Sequence, residues 1–286
     1  MRWELLVFLV AALFGAPAFA QPSAITLNAD PAPIVEAEIN GRPVRLEVDL
    51  RMTDNLILSD AAAQRLGVQR VPFMAIRVSV DGGASMRGRV ARPRLVFGRE
   101  DARALSGVFP VPVSTRADGV IGPGVLPYDV VTVVLGPETP GMRDIVWTLD
   151  DADMWRARTQ LGGRDTMLLF DVANAASVFN MAAARAFDDA GLIHAAGELR
   201  ETPLILGLRT NMQPVTTDLS VEGLGLGPAM ARTQAPLLGA LEEDAIVVEG
   251  RGEANPPELS LGREALAHCA FVRVERRTRR MTLRCA

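Results

Sequence analysis

The sequence predicts an all-β protein with a few short helices, and three observations support this fold class. The 286 residues are 49% hydrophobic and 22% charged, which supplies apolar side chains for one large domain or two small ones. Short segments alternate apolar and polar residues and end at turn-forming residues, as β-strands do. The same order of strand and helix signals also occurs twice along the chain. We therefore expect two similar, mainly β halves.

The N-terminus has the pattern of a secretory signal peptide. Arg2 precedes an apolar run from Leu5 to Phe14, and the small residues Ala18 and Ala20 end the segment before Gln21. The run is too short to span a bilayer, and no later run approaches the roughly 20 apolar residues that a membrane helix needs. We expect residues 1–20 to be removed. The mature chain would then have no membrane span and would be exported, either periplasmic or secreted.

The duplication begins with an apolar strand that ends in aspartate. The segment LEVDLR places Asp49 after one such strand, and LLFDVA places Asp171 after the second. A few residues later, Ser59 and Asn180 each precede an alanine-rich run, SDAAAQRL and NMAAARAF. Serine and asparagine are good N-cap residues and alanine is the best helix former, so each run predicts a short helix.

The similarity returns near the end of each half. The segment VIGPGVL (120–126) corresponds to SLGREAL (260–266), and apolar strands follow from Val130 and from Ala270. Each of these strands leads through a turn to another strand, which predicts a closing hairpin in both halves. We therefore expect halves at residues 21–150 and 165–286, joined by a linker at 151–164.

A protruding hairpin is predicted in the first half. Residues 75–80 (AIRVSV) alternate in polarity, Asp81, Gly82 and Gly83 supply a tight turn, and residues 88–97 return.

The two cysteines and the charge balance exclude several kinds of site. Cys269 and Cys285 flank a predicted hairpin, so in an oxidising compartment they are expected to form a disulfide, with two unpaired buried thiols as the alternative. Their spacing and the presence of only two histidines cannot build a Cys/His zinc site, so we expect no metal. The net charge of −4 gives no indication of a nucleic-acid partner.

With these motifs the chain resembles the retropepsin and pepsin-like aspartic proteases, particularly the bacterial exported retropepsin-like group, from about Ala32 to Cys285. Asp49 and Asp171 stand where that family has its catalytic aspartates. Residues 120–122 and 260–262 stand where it has apolar-Gly strands, and the turn at residues 81–83 is placed like its first-lobe flap. The resemblance implies a bilobal fold with two pseudo-symmetric β lobes around a cleft.

The resemblance also implies a chemistry, namely peptide hydrolysis by a water held between Asp49 and Asp171, which share one proton. It implies a monomer without metal or organic cofactor. The substrate would be an extended peptide or protein segment that pairs with the flap, whose substrate-binding residues are Asp81, Gly82, Gly83, Ala84 and Ser85.

This chain departs from the family at both aspartate triplets, which read Asp-Thr-Gly in the family and DLR and DVA here. Leu50 and Val172 cannot form the hydrogen bonds that the family hydroxyls make between the two loops. Ala173 is expected to preserve the close approach of a backbone amide to its carboxylate, whereas Arg51 is not. If Arg51 points inward and lowers the relevant pKa by two units, about 2.7 kcal/mol opposes the singly protonated pair.

Three hypotheses follow from the sequence. The protein is an aspartic-type endopeptidase, or a pseudoprotease that binds a peptide or an envelope partner in the same cleft without cutting it. The third hypothesis is a β-rich structural protein in which both aspartates are ordinary turn residues.

Overall fold

The computed structural model describes residues 23–79, 85–149, 155–234, 237 and 256–286. The expected signal peptide at 1–20 lies outside the described residues. Of the described residues, 53% are strand and 9% are helix, which confirms the all-β class with few short helices. Neither of the two α-helices in the described ranges has the length and apolar character needed to cross a membrane.

In its described residues, the first half has twelve strands, one α-helix and a 3-10 turn at Pro123–Val125. The elements are β1 (Ala24–Asn28), β2 (Ile34–Ile39), β3 (Arg42–Val48), β4 (Asn55–Ser59), α1 (Asp60–Arg65), β5 (Arg70–Ser79), β6 (Ser85–Ala91), β7 (Arg94–Phe97), β8 (Glu100–Arg103), β9 (Leu105–Phe109), β10 (Gly119–Ile121), β11 (Val130–Val134) and β12 (Arg143–Thr148).

The second half also has twelve strands and one α-helix in its described residues, with a 3-10 turn at Ile205–Gly207. The elements are β13 (Ala157–Leu161), β14 (Arg164–Asp171), β15 (Ser177–Phe179), α2 (Met181–Asp188), β16 (His194–Ala195), β17 (Arg200–Pro203), β18 (Arg209–Thr216), β19 (Ser220–Val221), β20 (Leu224–Gly225), β21 (Ala229–Arg232), β22 (Glu258–Gly262), β23 (Cys269–Glu275) and β24 (Arg280–Cys285).

The two halves share one sheet topology. In the first half the strands run β5-β6-β9-β4-β10-β3-β2, and β7 and β8 extend the sheet. In the second half the corresponding order is β17-β18-β21-β15-β22-β14-β13. The parallel pairs β3–β10 and β4–β9 match the parallel pairs β14–β22 and β15–β21, and the intervening pairs are antiparallel in both halves. The duplication read from the sequence is therefore present in the pairing of the strands.

Both predicted helices form, and both are capped as expected. The Ser59 hydroxyl accepts a hydrogen bond from the Ala62 amide at 3.1 Å, and the Asn180 side-chain oxygen accepts one from the Ala183 amide at 2.8 Å. These bonds satisfy amides that have no partner inside the helix.

A third sheet joins the halves, in the order β1-β11-β23-β24-β12. This corrects the closing hairpin expected in the first half, because β11 and β12 pair with β23 and β24 rather than with each other. The predicted hairpin of the second half, β23–β24, is confirmed, and the Cys269–Cys285 disulfide links its two strands. The expected linker at 151–164 also needs correction, since β13 lies within it and pairs with β14.

Candidate functional site

The first loop of the site begins where β3 ends. The Asp49 amide donates a hydrogen bond to the Ile121 carbonyl at 3.0 Å, so β10 fixes the direction of the chain at the aspartate. The carboxylate then turns back onto its own loop, where its Oδ1 accepts the Arg51 amide at 2.9 Å. An aspartate that accepts the amide two residues later is a common turn geometry, and here it orients the carboxylate.

The second loop repeats this arrangement. Asp171 is the last residue of β14, and its Oδ1 accepts the amides of Ala173 at 3.1 Å and Asn174 at 3.0 Å. Its Oδ2 accepts the Asn174 side-chain amide at 2.6 Å. The side chain of Asp171 is 2% exposed, so the carboxylate has lost its hydrating water. These hydrogen-bond donors compensate for that loss. The sequence does not single out Asn174, because an asparagine in a turn is common and only the burial of Asp171 gives its side chain this role.

The apolar-Gly strands pack against the two aspartate loops. In the register of β10 with β3, Ile121 pairs with Val48, and in β22 with β14, Leu261 pairs with Phe170. Val48 and Phe170 are the residues immediately before Asp49 and Asp171. A Cβ atom at Gly122 would overlap the Thr53 carbonyl, and a Cβ atom at Gly262 would overlap the backbone of residues 175 and 176. Both glycines therefore allow a close approach of backbone to backbone.

Arg51 lies between the two carboxylates and binds both. Its Nε and one terminal nitrogen donate to the two oxygens of Asp49, at 2.9 Å and 2.7 Å. Its other terminal nitrogen donates to Asp171 Oδ2 at 2.7 Å. The guanidinium therefore makes a bidentate pair with one aspartate and a single bond with the other. The sequence left open which way Arg51 faces, and the structure shows that it faces inward.

The electrostatics of the site favour the charged forms. Burial alone would raise the pKa of Asp49, but the charge and hydrogen bonds of Arg51 outweigh burial and hold this pKa below its ordinary value. Burial alone would likewise lower the pKa of Arg51, but Asp49, Asp171 and Glu258 raise it above its ordinary value. The guanidinium is therefore charged at every pH of interest, and Asp49 is ionised near neutrality.

One expectation about the loops is wrong. Arg51 was expected to prevent the close approach of its amide to the carboxylate, yet the Arg51 amide reaches Asp49 as closely as the Ala173 amide reaches Asp171. The reason is that this bond requires only the local turn, which a residue with a side chain adopts as well. Leu50 and Val172 make no hydrogen bonds with their side chains, and both are buried in the main hydrophobic core.

Two adjoining cavities flank the paired aspartates. One has a volume of about 230 Å³ and the other about 550 Å³, and Asp49, Arg51 and Asp171 line both. Thirteen of the 23 residues that line the larger cavity are apolar, and the large ones come from both halves: Met52, Ile57, Val78, Leu169, Val178, Leu204, Ile205, Leu208, Met212 and Met230. A groove thus passes over the aspartates, and Arg156, Arg232 and Glu258 also contribute charge to its lining.

The hairpin predicted beside the site is formed by β5 and β6, with Ser79 paired to Ser85 at its described end. Asp81, Gly82, Gly83 and Ala84 lie outside the described residues, so their contribution to substrate binding remains a prediction. Ser85 begins β6 and is exposed. The inward face of the hairpin carries Ile76, Val78 and Met86, which pack against a small cluster at the groove.

No group of three His, Cys, Asp or Glu side chains is arranged to hold a metal ion in the described part of the chain. The two aspartates direct their oxygens to donors from Arg51, Ala173 and Asn174.

No protein-family model matches this sequence, and no curated protein matches it. The function must therefore be inferred from the geometry of the site.

Proposed function

We propose that this chain is an aspartic-protease-like protein of two lobes that binds an extended peptide in its cleft, and that Arg51 prevents hydrolysis. The observation that carries the proposal is the hydrogen bonding of one guanidinium to both Asp49 and Asp171. The repeated topology of the halves, with an aspartate at the same register in each, supports the pepsin-like scaffold.

The chemistry of aspartic proteases explains why Arg51 is inhibitory. Such a pair needs one ionised and one protonated carboxyl, which together hold a water, accept its proton and donate to the scissile carbonyl. The guanidinium holds the pKa of Asp49 below its ordinary value and occupies the hydrogen-bonding positions that the water would use on both carboxylates. Since arginine does not give up its proton in a protein, it cannot replace the missing acid.

The groove suits an extended peptide. It runs past the aspartates through both cavities, with apolar walls that can take side chains from alternate positions of a strand. Peptides with large apolar side chains should therefore bind more tightly than acidic or glycine-rich ones.

An active endopeptidase is the second candidate, and the exposure of Arg51 favours it. The Arg51 side chain is 32% exposed, so a substrate could displace it toward solvent without opening the core. The two aspartates, each oriented by the amide two residues later, would then face each other without a cation between them. The resulting pair could share a proton.

Hydrolysis of a mixed peptide library between pH 3 and pH 7 separates the candidates. We expect no cleavage by the wild type and measurable cleavage at acid pH by Arg51→Gly, abolished again by adding Asp49→Asn. The matched control is Arg116→Gly, because Arg116 lines the same cleft but pairs with Glu47 at 3.6 Å. Binding of an uncleaved apolar peptide to the wild type, measured by calorimetry, completes the test.

Wild-type cleavage that Asp49→Asn and Asp171→Asn both abolish would establish the endopeptidase and contradict the inhibitory role of Arg51. A folded Arg51→Gly variant without activity would also contradict that role. A wild type that neither cleaves nor binds peptides would remove the whole proposal and leave the aspartates as structural turn residues.

A further inference from the structure

The segment that carries the β5–β6 hairpin is strongly basic, although the whole chain is acidic. Residues 61–99 contain eight arginines and one aspartate, whereas the complete chain has a net charge of −4. Arg65, Arg70 and Arg94 in this segment form ion pairs with acids. Of the five other arginines, Arg77, Arg87 and Arg89 lie on the two hairpin strands, and Arg92 and Arg99 lie in the short connections before and after β7.

The two faces of the hairpin differ in character. Its inward face is apolar, as described above, whereas its outer face carries Arg77, Arg87 and Arg89, all exposed. Arg77 pairs directly with Arg87 across the strands, a placement of like charges that is destabilising in a sheet. Within the described residues, none of these three arginines has an ion pair. This arrangement lowers the stability of the hairpin, and it leaves three positive charges available to an anionic partner.

Two large apolar residues protrude from the same strand. Phe73 is fully exposed and Met74 is 41% exposed. Phe73 has a φ of 61°, a conformation that bulky residues rarely adopt, at a point where the pairing of β5 with β6 shifts register. An aromatic side chain held in water by a strained backbone is a feature of binding sites.

We propose that the outer face of the β5–β6 hairpin docks on an anionic lipid bilayer, with Phe73 and Met74 entering the interface. Arginines attract acidic headgroups, and exposed apolar side chains beside them enter the boundary with the acyl chains. A second copy of this chain would bring the same positive charges together, which disfavours that occupant. This proposal does not rest on the role of Arg51.

Docking would also orient the cleft. The apolar face of the hairpin looks into the groove, so a membrane on the opposite face would place the groove next to the bilayer.

Vesicle cosedimentation of the exported, processed protein tests the proposal. We expect binding to phosphatidylglycerol-containing vesicles, little binding to pure phosphatidylcholine, and a loss of binding as salt is raised. The triple variant Arg77→Gln, Arg87→Gln, Arg89→Gln should bind about 100-fold more weakly, because each arginine near the surface contributes about fivefold. Phe73→Ser should also weaken binding.

Matched variants on other surfaces provide the controls. The triple variant Arg200→Gln, Arg263→Gln, Arg280→Gln removes the same charge from exposed positions elsewhere, and Val146→Ser removes another exposed apolar side chain. Both should bind vesicles as the wild type does. Failure of the wild type to sediment with anionic vesicles would overturn the proposal, as would equal losses in the hairpin and control variants. Self-association through this face, or binding of an acidic protein without binding of vesicles, would assign the face to a protein instead and would also overturn it.

Discussion

Asp49 has a lowered pKa in the folded protein, and this couples the ion pairs of the site to stability. A carboxyl whose pKa is lower when folded contributes stability that is fully present above its ordinary value of 3.8 and is lost as pH falls through the folded value. The free energy of unfolding of the wild type should therefore exceed that of Asp49→Asn by a constant amount from pH 7 to about pH 4.

Below the ordinary pKa, that difference should narrow. Urea unfolding at several pH values measures it, and Asp60→Asn, which removes an exposed ion pair with Arg70, is the matched control. A difference that stays constant down to pH 2, or that narrows already between pH 7 and pH 5, would contradict the assigned cause of the shift.

At the same scale, the sequence names Asp49, Arg51 and Asp171 as candidate site residues but does not determine which way Arg51 faces. Duplication places Asp49 and Asp171 at equivalent points, and this needs only the order of motifs. The direction of Arg51 depends on Asp171, which is 120 residues away along the chain, so no local pattern could reveal it. Asn174 could not be recognised for a related reason. An asparagine in a turn is common, and its hydrogen bond to Asp171 matters only because Asp171 is buried.

Among the elements, the apolar-Gly strands hold the aspartate loops in place. Replacing Gly122 or Gly262 by alanine should destabilise the protein by about 3 kcal/mol, because the added methyl group would overlap backbone atoms that cannot move independently. The control is Gly225→Ala, where a Cβ atom meets nothing within 4 Å. Chemical unfolding measures all three variants, and an effect at Gly122 and Gly262 no larger than at Gly225 would show that the loops do not need this close packing.

Elements with local signals were predicted well, and those that depend on distant partners were not. The capped helices and the β23–β24 hairpin follow from nearby residues. The β5–β6 hairpin does so in part, since its second strand is Ser85–Ala91 and not the expected 88–97, and Arg94–Phe97 forms β7 and pairs with β2 and β8. The separation of β11 from β12 could not be predicted, because each strand pairs with a strand more than 100 residues later in the chain. The exception is β13, whose hairpin with β14 turns at Gly162 and Gly163, a local signal inside the segment expected to be a linker.

At the scale of the whole molecule, the five-stranded sheet makes the halves interdependent. β23 and β24 lie between β11 and β12, and the Cys269–Cys285 disulfide holds the inner pair together. A chain that ends at residue 149 would leave the inner edges of β11 and β12 without partners. Such unpaired edges promote aggregation. Their loss of partners should also make unfolding of the fragment less cooperative.

We expect that fragment to lack a cooperative unfolding transition, and expect coexpression with residues 150–286 to restore it. Near-ultraviolet circular dichroism during urea unfolding reports the transition. A fragment that unfolds cooperatively at the wild-type urea concentration would show that each half folds by itself and that the shared sheet only joins finished units.

A carbon-13 NMR titration of the Asp49 carboxyl tests whether the Arg51 guanidinium controls the ionisation of Asp49. We expect a pKa below the ordinary value in the wild type and a clear rise in Arg51→Gly, where the partly buried carboxyl faces a second acid without a cation. An Asp49 pKa that is the same in both proteins would contradict it.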